Sequence, residues 1–292
     1  MITFGLDVPA TTTDPGAAAR RAEDLGFDFV STSDHPSGTA PTRENWTMLT
    51  WMAAHTSRIT VMSRVLGVPY RNPALVAKMA ETLDRLSGGR LILGLGAGSA
   101  DDEFRAFGLP VPSPRDKIDG LAEAIEIARG LWTSPAFSYT GRIFHTHEAP
   151  MAPKPPRPIP IWVGTFGPRA LALTGRLADG WIPSLGHAPP EAIPAMRGRI
   201  AAAATAAGRD IDDITLGYLV DVKIDGPASD EWTITGSVDE IAARLIAFAG
   251  LGFTAFNLKV SGPDRDEQAE RMAREVVPLV REGALAGKTQ VL

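Results

Sequence analysis

A chain of 292 residues fits one large α/β barrel or two smaller domains, and either can bury a sizeable core. Apolar content of 44%, charged content of 22%, a net charge of −5 and no dense Lys/Arg run describe a globular chain without a nucleic-acid footprint. Cysteine is absent, which removes disulfides, thiolate catalysis, cysteine-bound zinc and iron–sulfur clusters together.

The N-terminus, Ile2-Thr3-Phe4-Gly5-Leu6, opens at once into a strand, without the basic leader and apolar core of a signal peptide. No apolar run approaches the ~20 residues of a bilayer span, so a cytoplasmic protein with no membrane partner is expected. Strand-like and helix-like stretches then alternate. Residues 2–8 read as a strand, and Asp14 or Pro15 starts a helix running to about Leu25. A second strand at 29–32 precedes a helix at 45–55 carrying apolar Met48, Leu49, Trp51 and Met52. A third strand at 59–65 leads to a helix opened by Asn72 and Pro73 and closed after Leu86 by Gly88 and Gly89. A fourth strand takes 90–95. In the helix at 114–131, Ile118, Leu121, Ile125 and Ala128 recur at helical spacing. Short strands at 161–163 and 181–183 flank a helix at 169–178, and a helix at 190–207 precedes a strand at 214–222. Ser237 can N-cap a helix at 238–250, with Glu240 completing a capping box. The eighth strand is 255–260 and the last helix 266–280.

Eight strands, each followed by a helix, describe a (β/α)8 TIM barrel, one α/β domain over residues 1–292. A doubly wound sheet would put a Gly-x-Gly-x-x-Gly turn after its first strand. Here the Gly-rich turn lies mid-chain, and Leu95-Gly96-Ala97-Gly98-Ser99 is too short to match. One segment breaks the alternation. Residues 137–139 and 142–144, joined by Thr140-Gly141, read as a β-hairpin inserted between the fourth helix and the fifth strand.

The stretch from Ile161 to Ala178 is the most informative. An apolar strand turns through Gly164 and Gly167 into a helix with Pro168 at its first position. Such a helix N-terminus offers unpaired N–H groups and partial positive charge, which is how phosphates are held; an ordinary strand-to-helix turn is the alternative. In a barrel of this kind catalytic groups sit at the C-terminal strand ends. Those ends supply Ser33-Asp34-His35, Ser63-Arg64-Val65, Gly96-Ala97-Gly98-Ser99, Gly164-Thr165, Pro183-Ser184, Asp221 and Lys259. His35 is the one imidazole among them and suits acid/base work near neutral pH. A helix-capping Asp34 beside a merely polar His35 is the competing reading. His145 and His147 fall on the hairpin, His55 on a helix and His187 in a loop. No pair of His, Asp or Glu has metal-ligand spacing, and no Gly-x-Ser-x-Gly elbow is present. A site this short of reactive side chains suits an enzyme whose cofactor performs the difficult step.

Several segments in order carry a resemblance: Ala22-Glu23-Asp24-Leu25-Gly26-Phe27-Asp28, Asp34-His35, Tyr70-Arg71-Asn72-Pro73, and Leu83-Asp84-Arg85-Leu86-Ser87-Gly88-Gly89-Arg90 running into Leu93-Gly94-Leu95-Gly96-Ala97-Gly98. Glu103-Phe104-Arg105-Ala106-Phe107-Gly108, Gly167-Pro168-Arg169-Ala170 and Ala178-Asp179-Gly180-Trp181 follow. Together they resemble the bacterial luciferase-like flavin and deazaflavin oxidoreductase family over nearly the whole chain. The resemblance implies FMN or coenzyme F420, an 8-hydroxy-5-deazaflavin, at the C-terminal mouth of the barrel. The cofactor phosphate would lie against Gly164, Thr165, Gly167, Pro168, Arg169 and Ala170. A bulge with a non-prolyl cis peptide behind the ring would map to Ser63, Arg64 and Val65. Gly96, Ala97 and Gly98 would approach the ring or its ribityl chain, where side chains would obstruct it.

Asp34-His35 resembles the pair with which the F420-dependent branch binds the ring and handles a proton. Only residues 223–235 separate the seventh strand from its helix, where luciferase-type monooxygenases often carry a long lid, and oxygen chemistry needs water kept out. Two departures stand out. Ser99 occupies the place of a catalytic Glu in sugar-phosphate dehydrogenases of the branch, which argues against that activity. Arg64 is bulkier and more charged than the small residues usual in the bulge, while Arg71 reads either as an anion ligand or as a cap.

The resulting expectation is an oxidoreductase that moves a hydride between C5 of F420 and a small organic substrate. His35 would give or take the proton and Asp34 would hold the ring. Trp46, the 99–107 loop and the loop from Ser184 would bound the substrate. A homodimer is implied by the resemblance, with the apolar residues of the second helix at the interface or packed on the barrel. Two alternatives stay open: an FMN-dependent monooxygenase fed by a separate reductase, and a catalytically silent flavin or deazaflavin binder.

Overall fold

Several helix starts in this chain are set by capping residues, which also mark where the preceding loop ends. The computed structural model describes residues 2–260, 262 and 264–289. After β1 (Thr3–Asp7), Asp14 accepts from the Ala17 amide and Pro15 opens α1 (Pro15–Asp24). β2 (Phe29–Thr32) is followed by α2 (Asn45–Ala54), whose first amides donate to the Glu44 carboxylate. The third strand does not run unbroken. β3 (Thr60–Ser63) stops at a cis Arg64–Val65 peptide, and the chain resumes as β4 (Leu66–Gly67). Asn72 and Pro73 then start α3 (Pro73–Leu86), which returns to β5 (Leu91–Gly96). A short α4 (Asp101–Ala106), absent from the sequence reading, precedes α5 (Pro114–Thr133), capped by Ser113.

β6 (Ala136–Thr140) and β7 (His145–Pro150) pair antiparallel, outside the barrel. The second of these strands starts at His145, not Arg142. The buried Glu123 carboxylate on α5 takes the amides of Arg142, Ile143 and Phe144, so these residues form the turn. The barrel continues with β8 (Ile161–Val163), α6 (Pro168–Leu177), β9 (Gly180–Trp181), α7 (Ile193–Ala206) and β10 (Thr215–Ile224). β11 (Ile234–Gly236) leads into α8 (Val238–Gly250), where Ser237 and Glu240 form the capping box. β12 (Ala255–Val260) and α9 (Arg265–Arg271) follow, and a π-turn over Met272–Val276 joins α9 to α10 (Val277–Thr289).

The parallel ring runs β1-β2-β3-β5-β8-β9-β10-β12 and closes where β12 pairs with β1, giving the (β/α)8 TIM barrel. Inside it, Phe29, Met62, Trp162, Ile182 and Ala255 pack as an apolar plug below the mouth. Each buried aromatic or aliphatic side chain there contributes about 1.5–3 kcal/mol. Outside the ring, helices and strands bury one continuous second layer, in which Tyr218 stacks on Phe253 at 4.2 Å. The floor is therefore solid, and access is from the C-terminal ends of the strands.

Candidate active site

The ends of β2, β5 and β8, with the bulge between β3 and β4, surround a cavity of about 660 Å³. Asp34 and His35 reach it because β2 ends just before them. Asp34 is buried and bonded through both oxygens: Arg71 grips them at 2.8 and 3.0 Å, and the Gly67 amide donates to Oδ2 at 2.9 Å. Arg71 also pairs with Glu44. It is thus a clamp between the ends of two strands and the head of α2. His35 has the opposite character, with a side chain 55% exposed. Its Nδ1 lies 2.8 Å from Glu103 Oε1, and Glu103 Oε2 accepts the Tyr70 hydroxyl at 2.6 Å. Burial, reinforced by the Glu103 bond, pushes the Tyr70 hydroxyl well above its ordinary pKa.

Arg64 turns inward. Its Nη2 binds Asp7 Oδ1 at 2.8 Å, and its buried Nε has no partner among the described residues. Val65 projects toward β5 and β8. A Cβ on Gly96 would fall 2.5 Å from Val65 Cγ2, and one on Gly164 would fall 3.2 Å away. These glycines therefore admit the bulge, and both also line the cavity. Gly98 differs, because its φ of +83° is a conformation that side chains disfavour. Ala97 and Gly98 line the cavity beside it. Ser63 does not: it is fully buried, and its hydroxyl bridges the Gly94 carbonyl and amide at 2.8 and 2.9 Å.

The opposite corner is built by the β8-to-α6 turn. Gly164, Thr165, Gly167, Pro168, Arg169 and Ala170 all line the cavity. Gly167 is the N-cap of α6, no side chain caps that end, and a Cβ on Gly167 would meet nothing within 4 Å. The Thr165 hydroxyl is turned away, onto Thr174 at 2.9 Å. Arg169 pairs with Asp119 at 2.8 Å. On the far wall His187 stacks on Phe166 at 4.7 Å and bonds Ser184 at 2.8 Å. Trp46, expected at the substrate, lines a separate cavity between α2 and α3.

Near the ends of β10 and β12, burial raises the Asp221 carboxyl above its usual range, although Lys259 bonds it at 2.6 Å and opposes the shift. Among the described residues, no group of three or more His, Asp or Glu side chains is arranged to hold a metal ion, and no helix is long and apolar enough to cross a membrane.

Residues 9–231 match the luciferase-like monooxygenase family. The chain belongs to it. Within this family the chain is 28% identical to an F420-dependent glucose-6-phosphate dehydrogenase of Kineococcus radiotolerans, over 95% of this chain and 97% of that protein. It is 36% identical to an F420-dependent hydroxymycolic acid dehydrogenase of Mycobacterium tuberculosis, over 77% of this chain and 64% of that one. An F420-dependent secondary alcohol dehydrogenase, solved with an F420–acetone adduct, shares the fold with a TM-score of 0.86 at 21% identity, covering 96% of this chain and 99% of the other.

Glu103 and Tyr70 lay inside segments that carried the family resemblance, yet nothing local marked them as partners of His35. The signal was their position on connections leaving neighbouring barrel strands, which only the closed ring brings together. His187 gave still less warning, since its stacking on Phe166 joins two loops from different strand ends.

Proposed function

We propose that this chain is an F420-dependent oxidoreductase that transfers a hydride between C5 of the deazaflavin and a small organic substrate. The observation that carries the reading is the open N-terminus of α6, facing the same cavity as His35. Free amides at a helix N-terminus suit a phosphate, and the bare Gly167 leaves room for one. The relatives named as F420-dependent dehydrogenases support the choice of cofactor. When bound, the deazaflavin supplies a two-electron hydride carrier. The chain supplies the rest: the α6 terminus binds the phosphate, the Val65 bulge backs the ring, and His35 gives or takes a proton. Asp34 Oδ1, which accepts one bond from Arg71, keeps a lone pair for the ring.

The substrate reading is a neutral molecule. Each cation lining the cavity already has a carboxylate partner: Arg64 has Asp7, Lys117 has Asp101 and Arg169 has Asp119. With Ser99 in place of the acid, the site offers little to a sugar phosphate, whatever the names of its relatives. The aromatic wall of Phe166 and His187 suits an apolar body carrying a hydroxyl or carbonyl group.

One barrel domain over residues 1–292 is the proposed organisation, and the pairing of β12 with β1 supports it. A cytoplasmic homodimer is the proposed assembly. Exposed Trp51 on α2 and exposed Leu75 and Leu86 on and at the end of α3 are the apolar surface available for it. Fluorescence titration with F420 and with FMN, followed by anaerobic turnover with alcohols and ketones, tests the function. Tight F420 binding with anaerobic turnover supports it. Preferential FMN binding with oxygen consumption, which would require a reductase partner, overturns it.

A further inference from the structure

We infer that Glu103 is the positioning residue that fixes the tautomer of His35, holding the proton on Nδ1 and leaving Nε2 as the nitrogen that exchanges a proton in the cavity. The inference deepens the oxidoreductase reading and rests on it for its role in turnover, but its geometry stands apart from any cofactor. Glu103 Oε1 lies 2.8 Å from His35 Nδ1. An ionised carboxylate can only accept, so at this distance the hydrogen belongs to Nδ1. Neutral imidazole carries one N–H, and Nε2 is left with the lone pair.

Glu103 is itself held. Its second oxygen accepts the Tyr70 hydroxyl at 2.6 Å, and the Tyr70 ring packs against Phe104 at 4.7 Å. Its side chain is only 17% exposed, against 55% for His35, so the carboxylate is the fixed member and the imidazole the one facing solvent. The other charged groups nearby are already paired. Asp34 is bound to Arg71, which also holds Glu44, and Asp101 at the head of α4 is bound to Lys117. Glu103 is therefore the carboxylate that addresses the ring directly. When Nε2 takes a proton, the imidazolium formed is stabilised across the same contact.

The arrangement spans three connections. His35 follows β2, Tyr70 ends the turn after β4, and Glu103 lies on α4 after β5. A shift of either neighbouring loop would be felt at the imidazole.

Two-bond proton–nitrogen spectra of the full chain, labelled with nitrogen-15 histidine and recorded without cofactor where the imidazoles are neutral, test the inference. The His35 signal is assigned by its loss in His35→Ala. The expected result is a protonated Nδ1 and an unprotonated Nε2 in the wild type, and a mixture of tautomers in Glu103→Ala. Protonation at Nε2 in the wild type, or an unchanged tautomer in Glu103→Ala, which removes the acceptor altogether, overturns it. Should that variant fail to fold, the wild-type spectrum decides alone. Failure of F420 to bind would sink the cofactor reading while leaving this result intact.

Discussion

Arg71 meets Asp34 end-on, Nη1 to Oδ2 at 2.8 Å and Nη2 to Oδ1 at 3.0 Å, with the Arg71 side chain 14% and the Asp34 side chain 1% exposed. Paired forks of this kind are the strongest side-chain contacts between charges. They also make each partner dangerous to remove. Arg71→Met would leave a buried carboxylate with only the Gly67 amide, and unpairing a buried charge costs about 3–5 kcal/mol. The variant should melt well below the wild type in the absence of any ligand. A melting temperature within a degree of wild type would show that the pair contributes little.

His35→Ala tests the proton role. The His35 ring sits at the cavity edge and leaves the α6 corner untouched, so F420 affinity should stay within a few-fold of wild type. Turnover should fall by about 10²–10⁴, the range for lost acid/base help. Equal anaerobic rates for the two proteins on the same alcohols and ketones would remove His35 from the mechanism.

Gly96→Ala probes the bulge. A Cβ at this position would stand 2.5 Å from Val65 Cγ2, so the bulge must shift to admit it. Overpacking of this sort costs about 1–3 kcal/mol. The displaced bulge should also weaken F420 binding, whereas Gly167→Ala, with open space around its Cβ, should leave stability unchanged. Denaturant midpoints and fluorescence titrations of both variants read the two effects. Equal midpoints for Gly96→Ala and wild type would contradict the packing argument.

Much of this was legible in the sequence because local chemistry wrote it. Asp14, Asn72 and Ser237 announced helix starts, and the alternation of apolar strands with periodic helices gave the barrel. The strand ends then led to Asp34, His35 and the 164–170 turn. What stayed hidden depended on contacts between distant segments. Nothing near Arg71 revealed that it would clamp Asp34, and Trp46 beside the active-site loops turned instead toward α3. Arg64 could have pointed either way until its Asp7 partner on β1 was known. Glycines were ambiguous for the same reason, since a missing side chain can make room for a ligand or, as at Gly96, for a neighbour.

Acid stability should depend visibly on Glu23. Its carboxylate leaves α1 to accept the amides of Ser57, Arg58 and Ile59, at 2.6 to 3.2 Å, just before β3. Burial alone would raise this carboxyl, but the amides of Ile59, Arg58 and Ser57 outweigh it and draw the pKa from 4.5 down to about 2. The folded chain therefore binds the Glu23 proton more weakly than the unfolded chain. The stabilisation is complete above the ordinary carboxylate value and is lost as pH falls from 4.5 towards about 2. After allowance for solvent screening at this partly exposed site, about 1–2 kcal/mol is at stake. Glu23→Gln should be less stable than wild type by that amount at pH 7 in urea denaturation, and the gap should narrow as both are acidified. A gap that stays constant down to pH 3 would mean that Glu23 contributes by shape and not by charge.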